Sequence, residues 1–342
     1  MKAAVFHGPG KALSIEDVAA PSAGPGQMVL QVRRCGVCGT DLHITAAHGD
    51  ALPGGVIGHE FCGEIVEIGP GVADRWKVGD RAVSIPFIGC GACAHCLSGR
   101  PVWCRSMRDH VSGRISGGFA QFTPIGALGT VKLPAGMDWE TAALVEPLSV
   151  GLHGLRRARL EPGANVLVVG SGPVGLATAL WAKALGARQV IMTARSTRGE
   201  AMARALGVDD FIDGALDVRR EFRRIAGAPP DAVFECVGAP GLLEECIRYA
   251  PIHGQVVVLG GCRTPDTLTP ALAMNKELTV TFALCYDLRD FEVTVDRLAR
   301  GVIDPTPMIT DRVDFAAFPD AFEALRARTH QCKVLLSPWA QA

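Results

Sequence analysis

The stretch NVLVVGSGPVGLATALWAKALGARQVIMTARSTR (165–198) decides the fold. It opens with an apolar, β-branched run, turns at Gly170, and continues through an expected amphipathic helix into a second strand-like run, QVIMTA (189–194). Gly170, Gly172 and Gly175 form G-x-G-x-x-G at the strand-to-helix turn. The first glycine makes the tight turn, the second lets backbone approach a pyrophosphate, and the third allows close helix–strand packing. A helix N-terminus offers unpaired N–H groups and partial positive charge to phosphates, and Pro173 fits the first turn, where a missing N–H does no harm. Gly170, Gly172, Pro173, Val174 and Gly175 are therefore candidate dinucleotide-binding residues.

Outward from this unit, strand and helix patterns keep alternating through DAVFECVG (231–238), GLLEECIRYA (241–250) and GQVVVLGG (254–261) to LTVTFALC (278–285). That alternation implies an α/β domain on a parallel sheet, expected over 149–283. Val237 and Leu259 complete its candidate cofactor set. Residues 1–148 are instead rich in Gly and Pro with short alternating runs such as MVLQV (28–32), FCGEIVEI (61–68) and RAVSI (81–85), the mark of short strands and tight turns. Residues 284–342 are too few for a further domain and are assigned to the first.

A site for NAD places Asp or Glu at the tip of the second strand to bind the adenosine ribose. Here that tip carries Ala194, Arg195, Ser196 and Arg198, with no carboxylate. Arg meets a 2′-phosphate with paired, charge-assisted hydrogen bonds, so NADP(H) is expected in preference to NAD(H). The alternative is that Arg195 and Arg198 are solvated surface charges.

A chain of 342 residues holds two domains at ~150 residues each. With 48% hydrophobic residues it can bury large cores, and a net charge of -1 gives no footprint for nucleic acid. No apolar run approaches the ~18 residues of a membrane span. MKAAVFHGPG at the N-terminus shows no secretory pattern, which makes a cytoplasmic location the expectation. In a reducing compartment the twelve cysteines are better suited to metal than to disulfides.

Cys90, Cys93, Cys96 and Cys104 are spaced C-x2-C-x2-C-x7-C in a glycine-rich loop. Four thiolates close in sequence can surround one zinc and leave no open position, a structural site; an iron–sulfur cluster is the other four-thiolate option. His95, inside the loop, reads as a surface residue. A second, dispersed constellation lies in GVCGTDLH (36–43), GHE (58–60) and LVEPLSVGLH (144–153). Cys38, His59 and Glu146 would supply three mixed ligands and leave a fourth position for water or substrate, as a catalytic zinc needs. A redox pair of Cys35 with Cys38 lacks a suitable fold around it.

These motifs, in this order, resemble the zinc-containing medium-chain dehydrogenases, on the sorbitol dehydrogenase side of that family. The resemblance rests on CGTDLH from Cys38, GHE from Gly58, the four-cysteine lobe, EPLSVGLH from Glu146 and the glycine loop, and so covers essentially the whole chain. It implies a GroES-like, mainly-β catalytic domain carrying the lobe at 90–104, and a Rossmann cofactor domain. It implies two zinc ions per chain, one catalytic and one structural, with Glu60 as alternate ligand or electrostatic neighbour and Asp41 orienting His59. It further implies that Thr40 takes the substrate proton, that a relay through the nicotinamide ribose leads to His43, and that the protein is a homotetramer or homodimer.

Relatives acting on sugar alcohols hold hydroxyls with an aromatic residue after the relay histidine and an Arg near the end of the last nucleotide-domain strand. Those positions here are Ile44 and Ala283. An apolar lining leaves buried hydroxyls unpaired, each costing on the order of 1–3 kcal/mol, so a rather hydrophobic secondary alcohol or ketone is expected as the small-molecule substrate. A polyol dehydrogenase is the nearest alternative. A zinc-independent enoyl or quinone reductase would have no use for the cysteines, and a non-enzymatic sensor binding NADP(H) and zinc would show no turnover.

Overall fold

The run Asn165–Val169 is buried along its whole length, at the centre of a six-stranded sheet seen in the computed structural model, which describes residues 1–327 and 329–339. The sheet order is Asp210–Asp213, Gln189–Ala194, Asn165–Val169, Ala232–Glu235, Gln255–Val258, Thr279–Phe282, with every neighbouring pair parallel. Numbered by sequence this is 3-2-1-4-5-6, the doubly wound arrangement in which strand order reverses beside the first strand. Strands covered by helices on both faces read as continuous apolar runs, which is why NVLVV and AVFE show no polar alternation. The helix Pro173–Ala184 is likewise buried from Gly175 to Ala182. Trp181 is buried within it and its Nε1–H donates to the Leu148 carbonyl at 2.9 Å.

The chain divides into two units, 1–146 with 287–300 and 309–342, and 147–286 with 301–308. The expectation gave all of 284–342 to the first domain. Gly301–Met308 instead groups with the parallel sheet's unit, where Met308 is fully buried and its turn Thr306–Met308 lies against the helix Glu200–Ala205.

The first unit is mainly β. Its larger sheet runs Thr130–Lys132, Arg81–Ser84, Glu60–Ile68, Gln27–Gly36, Lys333–Ser337, Ile309–Asp314, with Phe122–Gly126 also pairing Gln27–Gly36. A three-stranded sheet orders Ser14–Asp17, Lys2–Phe6 and Gly55–Val56. Phe119 packs edge-on against Phe318 at 4.8 Å between ring centres and against Phe322 at 6.1 Å, closing a core that joins the C-terminal helix Phe318–Ala324 to the first strand region. Truncating such a fully buried ring typically costs about 3–5 kcal/mol.

Candidate active site and metal centres

Sheet register brings the dispersed residues together. Gln27–Gly36 and Glu60–Ile68 are antiparallel with Gly36 opposite Glu60, so Cys38, two residues past one strand end, meets His59, one residue before the other. Lys333–Ser337 pairs antiparallel on the far side, Leu335 opposite Gly36, and Val37 N–H donates to the Val334 carbonyl at 3.0 Å. The same register carries Lys333 to the level of Cys38.

Cys38 is the N-cap of the short helix Gly39–Ile44, its sulfur accepting from Thr40 N–H at 3.4 Å. Asp41, fully buried, uses both oxygens: Oδ2 accepts Cys38 N–H at 2.9 Å, and Oδ1 lies 3.1 Å from His59 Nδ1. An ionised carboxylate only accepts, so Nδ1 carries the proton and Nε2 is left free to ligate. Burial alone would push the His59 imidazole down, but the Asp41 carboxylate and Cys38 sulfur overcome it and hold His59 well above its ordinary value. Asp41 and Cys38 thus make the surroundings of His59 favourable to positive charge.

Cys38, His59 and Glu60 present ligand atoms all within 4.8 Å of one another. Glu60 Oε2 is buried with no hydrogen-bond partner. Gly36 makes room for it, since a Cβ there would overlap that oxygen. An orphaned carboxylate oxygen, a thiol and an imidazole in one cradle suit a zinc ion, and three ligands leave a coordination position open. Glu146 is buried in the first turn of the helix Val145–Arg157 but is not among the groups that converge. Of the four expected ligands, strand register brings Cys38, His59 and Glu60 together, with Glu146 outside that cluster.

The sequence reading missed Lys333. It is 1% exposed, and its Nζ is paired with Glu60 Oε1, equally buried. Burial opposes its charge, yet Glu60, Cys38 and Glu146 together hold it charged, well above the usual lysine value. A lone charged residue opening the otherwise apolar KVLLS was the available signal.

Among the other expected residues, Thr40 is half-buried and His43, one turn on, is exposed. Ile44 is 2% exposed and packs in the core with Val37 and Ala51. Ala283 is half-buried just beyond the outer strand Thr279–Phe282.

In the lobe, the four sulfurs of Cys90, Cys93, Cys96 and Cys104 also lie within 4.8 Å of one another. Tetrahedral zinc with bonds of about 2.3 Å sets sulfurs ~3.8 Å apart, which this cluster accommodates. Cys93 caps the short helix Ala94–Leu97, and a Cβ on Gly89 would overlap Cys96 Sγ. The N–H groups of Ala92 and Cys93 pull the Cys90 thiol down to about 6, a thiolate at neutral pH, whereas burial pushes Cys96 up. His95 is exposed.

In the second unit Gly170 sits at φ +109°, and Gly172 is the N-cap of the helix that Pro173 opens. A Cβ on Gly175 would overlap the Gly170 carbonyl oxygen, the close packing expected of a third glycine. Val174 lies in the first turn beside them. Ala194 is half-buried at its strand tip; Arg195, Ser196 and Arg198 are exposed, with Ser196 Oγ accepting Arg198 N–H at 3.2 Å. Their turn lies against the glycine loop, because a Cβ on Gly199 would come within 2.5 Å of Ser171 Oγ. Asp213, in register with Ala194 on the next strand, turns Oδ1 to Ala215 N–H. Val237 is exposed, whereas the half-buried Leu259 side chain packs against Gly154.

Comparison with known proteins agrees with this geometry. A family profile described as "Alcohol dehydrogenase GroES-like domain" matches residues 24–135, and one described as "Zinc-binding dehydrogenase" matches 173–300. L-idonate 5-dehydrogenase of Vitis vinifera is 32% identical over 341 residues, covering 96% of this chain and 92% of that protein. A zinc-binding dehydrogenase of Sinorhizobium meliloti 1021, solved bound to NADP, has a TM-score of 0.88 at 30% identity over 98% of this chain and 99% of that one. An alcohol dehydrogenase of Escherichia coli CFT073, solved with NADH, has a TM-score of 0.90 at 28% identity over 98% and 99%.

Proposed function

Because this chain belongs to the zinc-dependent medium-chain alcohol dehydrogenases, on their sorbitol dehydrogenase-like side, we propose that it moves hydride between a secondary alcohol or its ketone and NADP(H). It is an oxidoreductase of CH–OH groups with a GroES-like and a Rossmann domain. The observation that carries the reading is the open cluster of Cys38, His59 and Glu60, set apart from a closed four-thiolate lobe. We assign one zinc to each cluster, with Glu60 as the carboxylate ligand and Glu146 as an outer charge.

Cys38, His59 and Glu60 would hold a zinc ion, which when bound would supply a Lewis acid for alcohol deprotonation and ketone polarisation. Thr40, next but one to Cys38, is placed to accept the alcohol proton, and His43 on the same helix face exposes its ring to pass a proton to solvent. Asp41 holds His59 and the start of that helix with one carboxylate, so ligand and proton acceptor move as one piece.

NADP(H) is favoured by Arg195 and Arg198 on a turn without a carboxylate at Ala194. For the substrate, the likeness to an L-idonate dehydrogenase supports a polyhydroxy compound as a second reading. No helix among the described residues is long and apolar enough to cross a membrane. We place the protein in the cytoplasm, since none of the twelve cysteines is in a disulfide. The outer strand Thr279–Phe282, with Phe282 and Leu284 exposed, is the surface we propose a second copy covers.

The test follows NADPH and NADH oxidation with hydrophobic ketones beside fructose and other ketoses. Faster turnover of hydrophobic ketones with NADPH is the expected result; faster ketose turnover selects the polyhydroxy reading. In Ala194→Asp with Arg195→Leu, the NADPH/NADH ratio of kcat/KM falls about 10-fold or more, as loss of charge-assisted hydrogen bonds requires. An unchanged ratio removes the NADP(H) assignment.

A further inference from the structure

Glu235 is a buried acid that the proposed chemistry does not use. It ends the strand Ala232–Glu235 and stands in register with Val169, the last residue before Gly170, so it lies where the sheet's strand order reverses. Ligands of open α/β sheets bind at that point, beyond the carboxyl ends of the strands. A carboxylate there, 2% exposed, is unexpected beside a loop built for phosphates.

Its bonds explain its presence. Oε1 accepts from Val237 N–H at 2.7 Å and Gly238 N–H at 2.9 Å, while its backbone oxygen accepts from Leu259 N–H at 2.8 Å and Gly260 N–H at 3.0 Å. One residue thereby ties the loop after the fourth strand to the loop after the fifth. The two loops touch through glycine: a Cβ on Gly260 would overlap Gly238 N and Glu235 Oε2, and one on Gly238 would come within 2.5 Å of Gly261 N. Val237, held over Gly170, is left exposed.

We propose that Glu235 is a positioning residue for the nicotinamide half of the dinucleotide, setting the Val237–Gly238 and Leu259–Gly261 backbone against which that half rests. The inference depends on the dinucleotide-binding reading above. The adenosine half, assigned to the turn at Arg195, takes no support from Glu235. Loss of Glu235 therefore weakens one half of the ligand and spares the other.

The experiment titrates wild type, Glu235→Ala, Glu235→Asp and Glu235→Gln with NADPH and with 2′-phospho-ADP-ribose, the same molecule without nicotinamide. If wild type prefers NADH, then NADH and ADP-ribose replace this pair. Removing the two hydrogen bonds that fix Val237 and Gly238 N–H weakens NADPH binding about 10-fold or more in Glu235→Ala, and the shortened acid of Glu235→Asp does the same without a large cavity. The fragment's affinity stays within about 2-fold, and Glu235→Gln, whose oxygen accepts both bonds, restores NADPH binding to within about 3-fold. In turnover, KM for NADPH rises more than kcat falls. Equal weakening of both probes, or of neither, overturns the inference. A wild type that binds no nicotinamide dinucleotide overturns the functional reading and this inference with it.

Discussion

The two clusters proposed to hold zinc are built in opposite ways. The four sulfurs of the lobe come from one loop, residues 90–104, and are arranged by local turns, by Cys93 capping a short helix and by N–H groups pointing at sulfur. Cys38, His59, Glu60 and Lys333 come from three strand ends and meet only because Gly36 is opposite both Glu60 and Leu335. The lobe's geometry is carried by spacing, whereas the other site's is carried by the register of a whole sheet. Their charges differ as well. Lys333 answers part of the negative charge of the open site from within the protein, while Cys90 of the lobe is met by the backbone N–H groups of Ala92 and Cys93. Local construction suits a clamp, and construction from the sheet suits a site that must stay fixed around an open position.

This contrast is broken most sharply by removing one ligand from each. His59→Ala is expected to lower kcat by at least ~10³-fold, because several kcal/mol of Lewis-acid assistance disappear, while NADPH binding followed by fluorescence persists and zinc content falls from two to one per chain. Full turnover in that variant removes the proposed mechanism. Cys104→Ser is expected to release the other zinc and to cost several kcal/mol of stability, read as a lower unfolding midpoint, with kcat of the folded protein nearly unchanged. If its activity collapses as in His59→Ala while its unfolding midpoint holds, the division into clamp and active centre is wrong.

The same contrast explains what could be read beforehand. The lobe and the glycine loop were legible because each is contiguous: C-x2-C-x2-C-x7-C and G-x-G-x-x-G state their geometry in the chain itself. The parallel sheet was legible for the same reason, strand and helix alternating with short connections. Lys333 and Gly36 were not, since nothing in KVLLS says that its first residue will stand level with Cys38 until the antiparallel register is known. Of the two expected carboxylates, Glu60 and Glu146, sequence could not say which stands nearer the other ligands: both are close to motif residues, but only Glu60 is in register with Gly36.

Lys333 tests how the register-built site tolerates its own charges. Lys333→Met leaves Glu60 buried without its cation, which typically costs about 3–5 kcal/mol, and urea unfolding is expected to show a loss of that size. Adding Glu60→Gln removes the stranded charge, so the double variant recovers most of the loss. Additive effects of the two substitutions would mean that the pair does not act as a unit.

Asp41 offers the finest distinction. Its two oxygens serve two donors, Cys38 N–H and His59 Nδ1–H, and an asparagine has only one oxygen to offer. In Asp41→Asn, an amide oxygen turned to Cys38 N–H leaves an NH₂ group facing His59, which drives the imidazole proton to Nε2, the atom left for a metal. Zinc affinity at the open site, measured by competition with a chelator, is expected to fall about 10–100-fold, and the lobe's zinc is expected to be retained as in wild type. The lobe serves as the internal control because its sulfurs have no shared carboxylate to lose. Unchanged retention at both sites would mean that the Asp41–His59 contact serves the helix cap alone, and equal loss at both would mean that the two sites are not independent.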